Sequence, residues 1–323
     1  MPSPFQELPL FESEIVPSSA AALEPFATLP REARETLEAL GPRWSDDIVA
    51  AREVVLATYT PLAARARKAG ISVQRDVPYG THPRQVLDLY QPDNASSSDV
   101  VLFVHGGAFV RGSKSVNGEI YDNLPYWFAN QGLVAINVEY RLAADAPYPG
   151  GGEDVAAAIE WAARNVGRFG GDPQRLVLIG HSAGATHVAT AILDPVLAAR
   201  RRPEVRGMVL LSGRLRADVL RENPNAAAVR AYFGDDPARY EERSPVTYVE
   251  RCDLAVFLAI AEYENPYLDV YGAEFFYRLT AARKQAPRFM RLPKHNHTSM
   301  VAHFNTGEEL LGREILSFIE TGR

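Results

Sequence analysis

Ser182 lies at the centre of Gly180-His181-Ser182-Ala183-Gly184, between the apolar run Arg175 to Ile179 and a second apolar run, Ala185 to Leu193. The pattern predicts a strand, a sharp turn and a helix, with glycines where a Cβ would crowd the turn and the serine pushed out toward a substrate. A serine hydroxyl is a weak nucleophile at neutral pH. The chemistry therefore also needs a histidine to take its proton and a carboxylate to hold that histidine in the right tautomer. Downstream of Ser182 stand His187, His295, His297 and His303. His187 falls in the helix that follows the nucleophile and suits a structural role. The other three follow the strand-like stretch Arg288 to Leu292, in or just beyond the loop Pro293 to Met300. His297, five residues past Leu292, has more reach toward Ser182 than His295, three past it, and His303 reads as the approach to a helix. The carboxylate is expected after the preceding strand, Leu254 to Ala261, where Glu262, Glu264 and Asp269 compete. Glu264 is the expected partner, because Glu262 is close enough to the strand to point to its other side and Asp269, after Pro266, suits a helix N-cap.

Attack on a carbonyl also needs donors for the developing oxyanion. His105-Gly106-Gly107-Ala108-Phe109 follows the apolar run Val100 to Val104, and its glycines let backbone N–H groups approach the substrate, with the N–H of Ala183 as a further donor. The elements that must position these groups are legible as well. Ile71 to Val77 and Gln85 to Tyr90 predict a hairpin around Gly80, His82 and Pro83. Strands then alternate with helices: Asp99 to Val104, a helix Asn117 to Asn130, Leu133 to Val138, a helix Glu153 to Val166, the strand before Ser182, Val205 to Leu211, Leu254 to Ala261 and Arg288 to Leu292. A last helix is predicted behind a capping box of Thr306 and Glu309. This alternation implies an α/β protein, an open, mostly parallel eight-stranded sheet with helices on both faces and a site at the strand C-termini.

Residues 1 to 70 read as an N-terminal arm, proline-punctuated to about residue 30, followed by a helical cap. The first cap helix runs from Pro30 to Gly41, and the second from an N-cap at Ser45 to an interruption at Pro61. The cap is either a lid over the site or a plain extension. Residues 71 to 323 read as the catalytic domain, with an insertion at about 214 to 250.

Taken in order, Leu87-Asp88-Leu89-Tyr90-Gln91-Pro92, His105-Gly106-Gly107, Tyr140-Arg141-Leu142-Ala143, Gly170-Gly171-Asp172-Pro173, Gly180 to Gly184 and the late histidine loop resemble the α/β-hydrolase esterases, in particular the hormone-sensitive-lipase-like and acetyl-esterase-like enzymes. The resemblance implies an α/β-hydrolase fold and a carboxylesterase-type serine hydrolase that acts through an acyl-enzyme on small or medium, fairly apolar esters. It implies Ser182 as nucleophile, an acid after the seventh strand, matched best by Glu264, a histidine after the eighth, where His297 stands, and Gly106, Gly107 and Ala183 as oxyanion donors, with His105 and His181 structural. The family's third oxyanion glycine is Ala108 here. Phe109 stands where the related kynurenine formamidases carry tryptophan, so an amidase or arylformamidase with the same triad is the alternative.

Composition narrows the partners. The chain of 323 residues has 34 basic and 40 acidic side chains, a net charge of −6, and no basic block longer than Arg200-Arg201-Arg202. Nothing in that balance suits a phosphate backbone. The expected partner is a small-molecule ester or amide, with no nucleic acid and no membrane, and a homo-oligomer is compatible with the composition. No cofactor and no metal is called for, since the histidine loop carries no acid. Cys252, the only cysteine, reads as a small core residue and fits a reducing compartment. Met1 to Glu14 holds no basic residue, and no run of about 18 apolar residues occurs, so the expected location is cytoplasmic.

Overall fold

The computed structural model describes residues 19–198 and 204–322. Most of the arm predicted over residues 1 to 30, and the whole Arg200-Arg201-Arg202 triplet, lie outside the described residues. In chain order the elements are α1 (Arg31–Leu40), α2 (Ile48–Ala64), β1 (Ile71–Pro78), β2 (Val86–Pro92), β3 (Ser98–Val104), α3 (Asn123–Asn130), β4 (Val134–Val138), α4 (Gly150–Asn165), β5 (Gly171–His181), α5 (Ala183–Leu193), α6 (Pro195–Ala198) and β6 (Val205–Leu211). There follow α7 (Ala226–Phe233), α8 (Tyr240–Arg243), β7 (Ala255–Tyr263), α9 (Leu268–Arg283), β8 (Arg288–Asn296), α10 (Ser299–Ala302) and α11 (Leu310–Thr321), with short 3-10 turns between some of them.

Unbroken apolar strands lose free energy if either face meets water, so they collect into one sheet covered on both sides. The eight strands are ordered β1-β2-β4-β3-β5-β6-β7-β8, with β2 antiparallel to β1 and β4 and the rest parallel. Alternation along β3 divides the core: Val100, Leu102 and Val104 pack with α4, α5 and α9, whereas Val101 and Phe103 pack with α3 and α11. The register places Val104 beside Gly180, Gly180 beside Leu210, Leu211 beside Ala259 and Ala261 beside Leu292. The C-termini of β3, β5, β6, β7 and β8 therefore share one edge, and every candidate site residue leaves the sheet there. A third apolar cluster, including Phe26, Leu37, Trp44, Val55 and Tyr59, joins Ile120 and Ala302, so α1 and α2 lie across that edge.

Several predicted boundaries move. The second helix is capped by Asp47, whose side chain accepts the Ala50 N–H, and not by Ser45; it runs through Pro61 because Tyr59 and Ala63 are buried on either side of the proline. The helix expected from Asn117 starts at Asn123, since the Asn117 side chain instead accepts the N–H groups of Glu119 and Ile120 in a turn. The helix expected from Glu153 starts at Gly150. The last helix starts at Leu310 without the capping box: Thr306 donates to the His303 carbonyl, Gly307 is left-handed, and Glu309 pairs with Arg313. Pro293 to Asn296, expected as loop, continues β8 and pairs with β7 at Tyr263. Cys252 is buried, as expected. Among the described residues no helix is long and apolar enough to cross a membrane.

Candidate active site

Ser182 occupies the one-residue turn between β5 and α5 with φ 55° and ψ −119°, a conformation that costs an L-residue free energy and persists only where neighbours enforce it. The enforcement is visible. The Ser182 N–H donates to the Leu211 carbonyl at 2.9 Å, and a Cβ on Gly180 would meet the Ala185 backbone while one on Gly184 would run into the Val104 carbonyl. The serine is thereby held out over the sheet edge.

Two further groups meet it. His297 Nε2 lies 3.0 Å from Ser182 Oγ, and His297 Nδ1 lies 2.6 Å from Glu264 Oε1. Glu264 leaves the end of β7 and is itself fixed by two backbone donors, Asn265 N–H to Oε1 at 2.8 Å and Ala261 N–H to Oε2 at 3.2 Å. With a carboxylate on one side, Nδ1 carries the proton and Nε2 is free to accept from the serine hydroxyl. The structure thus brings Ser182, His297 and Glu264 into one hydrogen-bonded chain across 115 and 33 residues of sequence.

The competing candidates go elsewhere. His295 is buried against Ser299 and Glu308, and His303 Nδ1 donates to the Ser299 carbonyl within its own turn. His187 is buried among Phe109, Tyr140 and Tyr232. Glu262 accepts the Lys294 N–H and pairs with Arg291, and Asp269 caps only its own neighbour, Val270, at the exposed start of α9.

Of the N–H groups expected as oxyanion donors, one has a partner within the protein. The Gly106 N–H points to Tyr121 Oη at 3.3 Å. Among the described residues the N–H groups of Gly107, Ala108 and Ala183 have no protein acceptor, so the free set is Gly107, Ala108 and Ala183. The turn that presents them has left-handed φ at Ala108 and Phe109, and Gly107 is obligatory because a Cβ there would collide with the Arg111 carbonyl. The histidines inside the motifs brace the site. His105 bridges the Gly106 carbonyl and Glu139. His181 is kept neutral, because burial lowers its affinity for a proton well below the ordinary value. Its Nε2 donates to the His297 carbonyl at 2.9 Å and its Nδ1 accepts from Tyr121 at 3.1 Å. One chain of hydrogen bonds therefore ties the Gly106 loop, through Tyr121 and His181, to His297.

Two spaces border Ser182. A cavity of about 510 Å³ is bounded by α2 (Ile48, Arg52, Leu56), by Gly106 to Ala108, and by His297 and Thr298. A recess of only about 10 Å³ is closed by Phe109, Ala183, Arg214, Asn265 and Leu268. Arg214 is buried and held by Asp218 at 2.5 Å and Asn223 at 3.1 Å.

Comparison with known proteins follows this geometry. The fold aligns with a bacterial heroin esterase at a TM-score of 0.66 and 25% identity, covering 93% of this chain and 99% of that one. It also aligns with an esterase from the archaeon Pyrobaculum calidifontis at 0.65 and 21%, covering 88% and 97%. The chain has the α/β-hydrolase fold. A family model described as BD-FAE matches residues 87–194, from β2 to the end of α5. Esterase LipC of Mycobacterium tuberculosis is 30% identical over 258 residues, which is 73% of this chain but 62% of LipC, so the chain spans less than two thirds of that relative. An isoprenylcysteine alpha-carbonyl methylesterase of Arabidopsis thaliana is 35% identical over 123 residues, 38% of this chain and 28% of that protein. Sequence reasoning missed Tyr121, Glu139 and Arg214. The first two lie far from the serine in sequence, and the only signal for Arg214 was its place just after the sixth strand.

Proposed function

We propose that this α/β hydrolase is a carboxylesterase-type serine hydrolase, with Ser182 as nucleophile, His297 as base and Glu264 as its orienting carboxylate. The observation that carries the reading is the continuous hydrogen-bond chain from Glu264 through His297 to Ser182 Oγ. As Oγ attacks the ester carbonyl, its proton passes to Nε2, and the imidazolium is stabilised by Glu264. The oxyanion is received by the N–H groups of Gly107, Ala108 and Ala183, each donor of this kind being worth about 3 to 4 kcal/mol in the transition state. Collapse breaks the bond to the alcohol, which takes the proton from Nε2 and leaves an acyl-Ser182. Water then enters by the same route and releases the acid.

The direction of the substrate follows from that proton. The leaving oxygen must lie near His297 Nε2, and His297 lines the large cavity and not the recess. The alcohol therefore occupies the large cavity, and the acyl group the recess, whose volume of about 10 Å³ matches one water-sized group. Formyl- or acetyl-sized acyl groups are the ones this arrangement accommodates. The esterase names of the relatives favour esters over the amide alternative. In this reading residues 1 to 70 form an arm and cap, with α2 walling the alcohol site. Residues 71 to 323 form the catalytic domain, and the segment at about 214 to 250 supplies Arg214 and Asn225 to the two spaces. A fluorophosphonate probe should label the wild-type protein at Ser182 and not Ser182→Ala, whose hydrolysis of phenyl acetate should fall by several orders of magnitude with an unchanged melting temperature. Full turnover by folded Ser182→Ala would remove the assignment.

A further inference from the structure

The large cavity has an unbalanced charge. The lining side chains able to be cationic are Arg52, Arg111, His181 and His297, and among the described residues that line it there is no carboxylate. His181 is neutral by burial, and His297 is paired with Glu264. The two arginines therefore set the sign of the cavity, in a chain whose net charge is −6.

Neither arginine is neutralised from inside the cavity. Among the described residues Arg52, on α2, pairs with its sequence neighbour Glu53 alone, at 2.8 Å, with the two side chains 42% and 65% exposed, a contact of the kind that contributes little. Arg111, in the loop beyond the oxyanion turn, donates to the neutral Asn225 Oδ1 at 3.3 Å. Burial pushes the Tyr121 hydroxyl up to about 12, and the Gly106 N–H and the positive charge of Arg52 act against that rise, so the field of Arg52 reaches the group beside the nucleophile. The same wall also includes the apolar side chains of Trp44, Ile48, Leu56 and Ile120. An alcohol that fills this space meets both hydrocarbon and guanidinium.

We infer that the alcohol half of the substrate carries an anionic group, a carboxylate or a phosphate, which Arg52 and Arg111 bind together. This rests on the ester-hydrolysis reading and names its substrate class: short-acyl esters of hydroxy or phenolic acids, or of phosphorylated alcohols. Hydrolysis breaks the acyl carbon–oxygen bond, water supplies the hydroxyl to the acid and the proton to the alcohol, and the anion is untouched. Planar guanidinium groups suit both anions, since each can offer two parallel N–H donors.

The test uses full-length Ser182→Ala, which reads affinity without turnover. Calorimetry should give 4-acetoxybenzoate a Kd about tenfold lower than its neutral methyl ester at low ionic strength, and 0.5 M NaCl should shrink that ratio. In Arg52→Gln and Arg111→Gln backgrounds the ratio should fall by about threefold each, and toward one in the double variant. Arg52→Gln, on the partly exposed face of α2, keeps the test decisive if the double variant does not fold. Acetoxyethyl phosphate in parallel separates the sources, tighter binding than the carboxylate assigning a phosphorylated alcohol and weaker binding a hydroxy acid. Equal Kd values for the anionic and neutral esters, or a preference that survives loss of the arginines, would overturn the inference. Failure of the wild-type protein to hydrolyse any ester would instead remove the functional reading.

Discussion

Glu264→Gln tests the proposed mechanism at its most quantitative point. Glu264 Oε1 accepts from two donors, His297 Nδ1–H and the Asn265 N–H, and Oε2 accepts from one, the Ala261 N–H. A glutamine offers one accepting and one donating end. With its carbonyl toward His297 the new amide opposes a single backbone N–H, that of Ala261, whereas the flipped amide opposes two donors. The first orientation is favoured, so His297 keeps the tautomer that leaves Nε2 free for Ser182. What is lost is charge. A carboxylate roughly 4 to 5 Å from the imidazolium charge, at an effective dielectric of about 20, favours the charged form by about 3 to 4 kcal/mol. The amide dipole recovers part of this, which leaves a loss of about 2 to 4 kcal/mol, or about 30- to 1,000-fold in kcat. Glu264→Ala should lose more, about 10⁴-fold, because it also strands two backbone donors and frees the imidazole to turn. The assay is steady-state hydrolysis of p-nitrophenyl acetate, normalised to active sites titrated with a fluorophosphonate. A Glu264→Gln protein as inert as Ser182→Ala, or one with only KM altered, would refute this account of the carboxylate.

Acyl selectivity should be steep: kcat/KM for p-nitrophenyl esters should fall at least about tenfold from acetate to hexanoate, and Leu268→Ala should flatten the series, since the recess holds one water-sized group; an unchanged profile in Leu268→Ala would move the acyl group elsewhere. Gly107→Ala should cut kcat by about 10²-fold or more with KM less affected, because the added Cβ meets the Arg111 carbonyl and displaces the free N–H donors; stopped-flow acylation rates check it. Burial alone would push the Glu308 carboxyl up, but its hydrogen bond and charge interaction with His295, with His303 and the Phe26 N–H adding to them, bring it from 4.5 down to about 2. A depressed carboxylate stabilises the fold above its unfolded pKa, and that contribution is lost as pH falls from about 4.5 through about 2. Glu308→Gln should therefore melt below wild type at pH 7, with the gap closing under pH 4.5, and a gap constant down to pH 2.5 would refute the linkage.

The sequence by itself determined the order of the strands along the chain, the turn at Ser182 and the two loops that carry His297 and Glu264. These are local matters. Strand runs announce themselves by apolar residues, the turn by glycines that exclude a Cβ, and the proposed acid and base, Glu264 and His297, by following the last two strands in order. The same local reading picked His297 over His295, because a residue's distance past its strand limits its reach. It misjudged Asn117 and Thr306, whose side chains are spent on turns, and Ser45, where Asp47 caps the helix two residues later, choices made by the packed surroundings and not by the residue. Only the tertiary structure decided which N–H groups stay free for an oxyanion. The Gly106 N–H is directed to Tyr121, which answers to His181, which holds the carbonyl of His297. The same is true of the two spaces beside Ser182, bounded by residues as far apart in the chain as Trp44 and Val301. Periodicity and spacing record which face a residue shows its immediate neighbours; they carry no trace of which distant face the folded sheet brings against it.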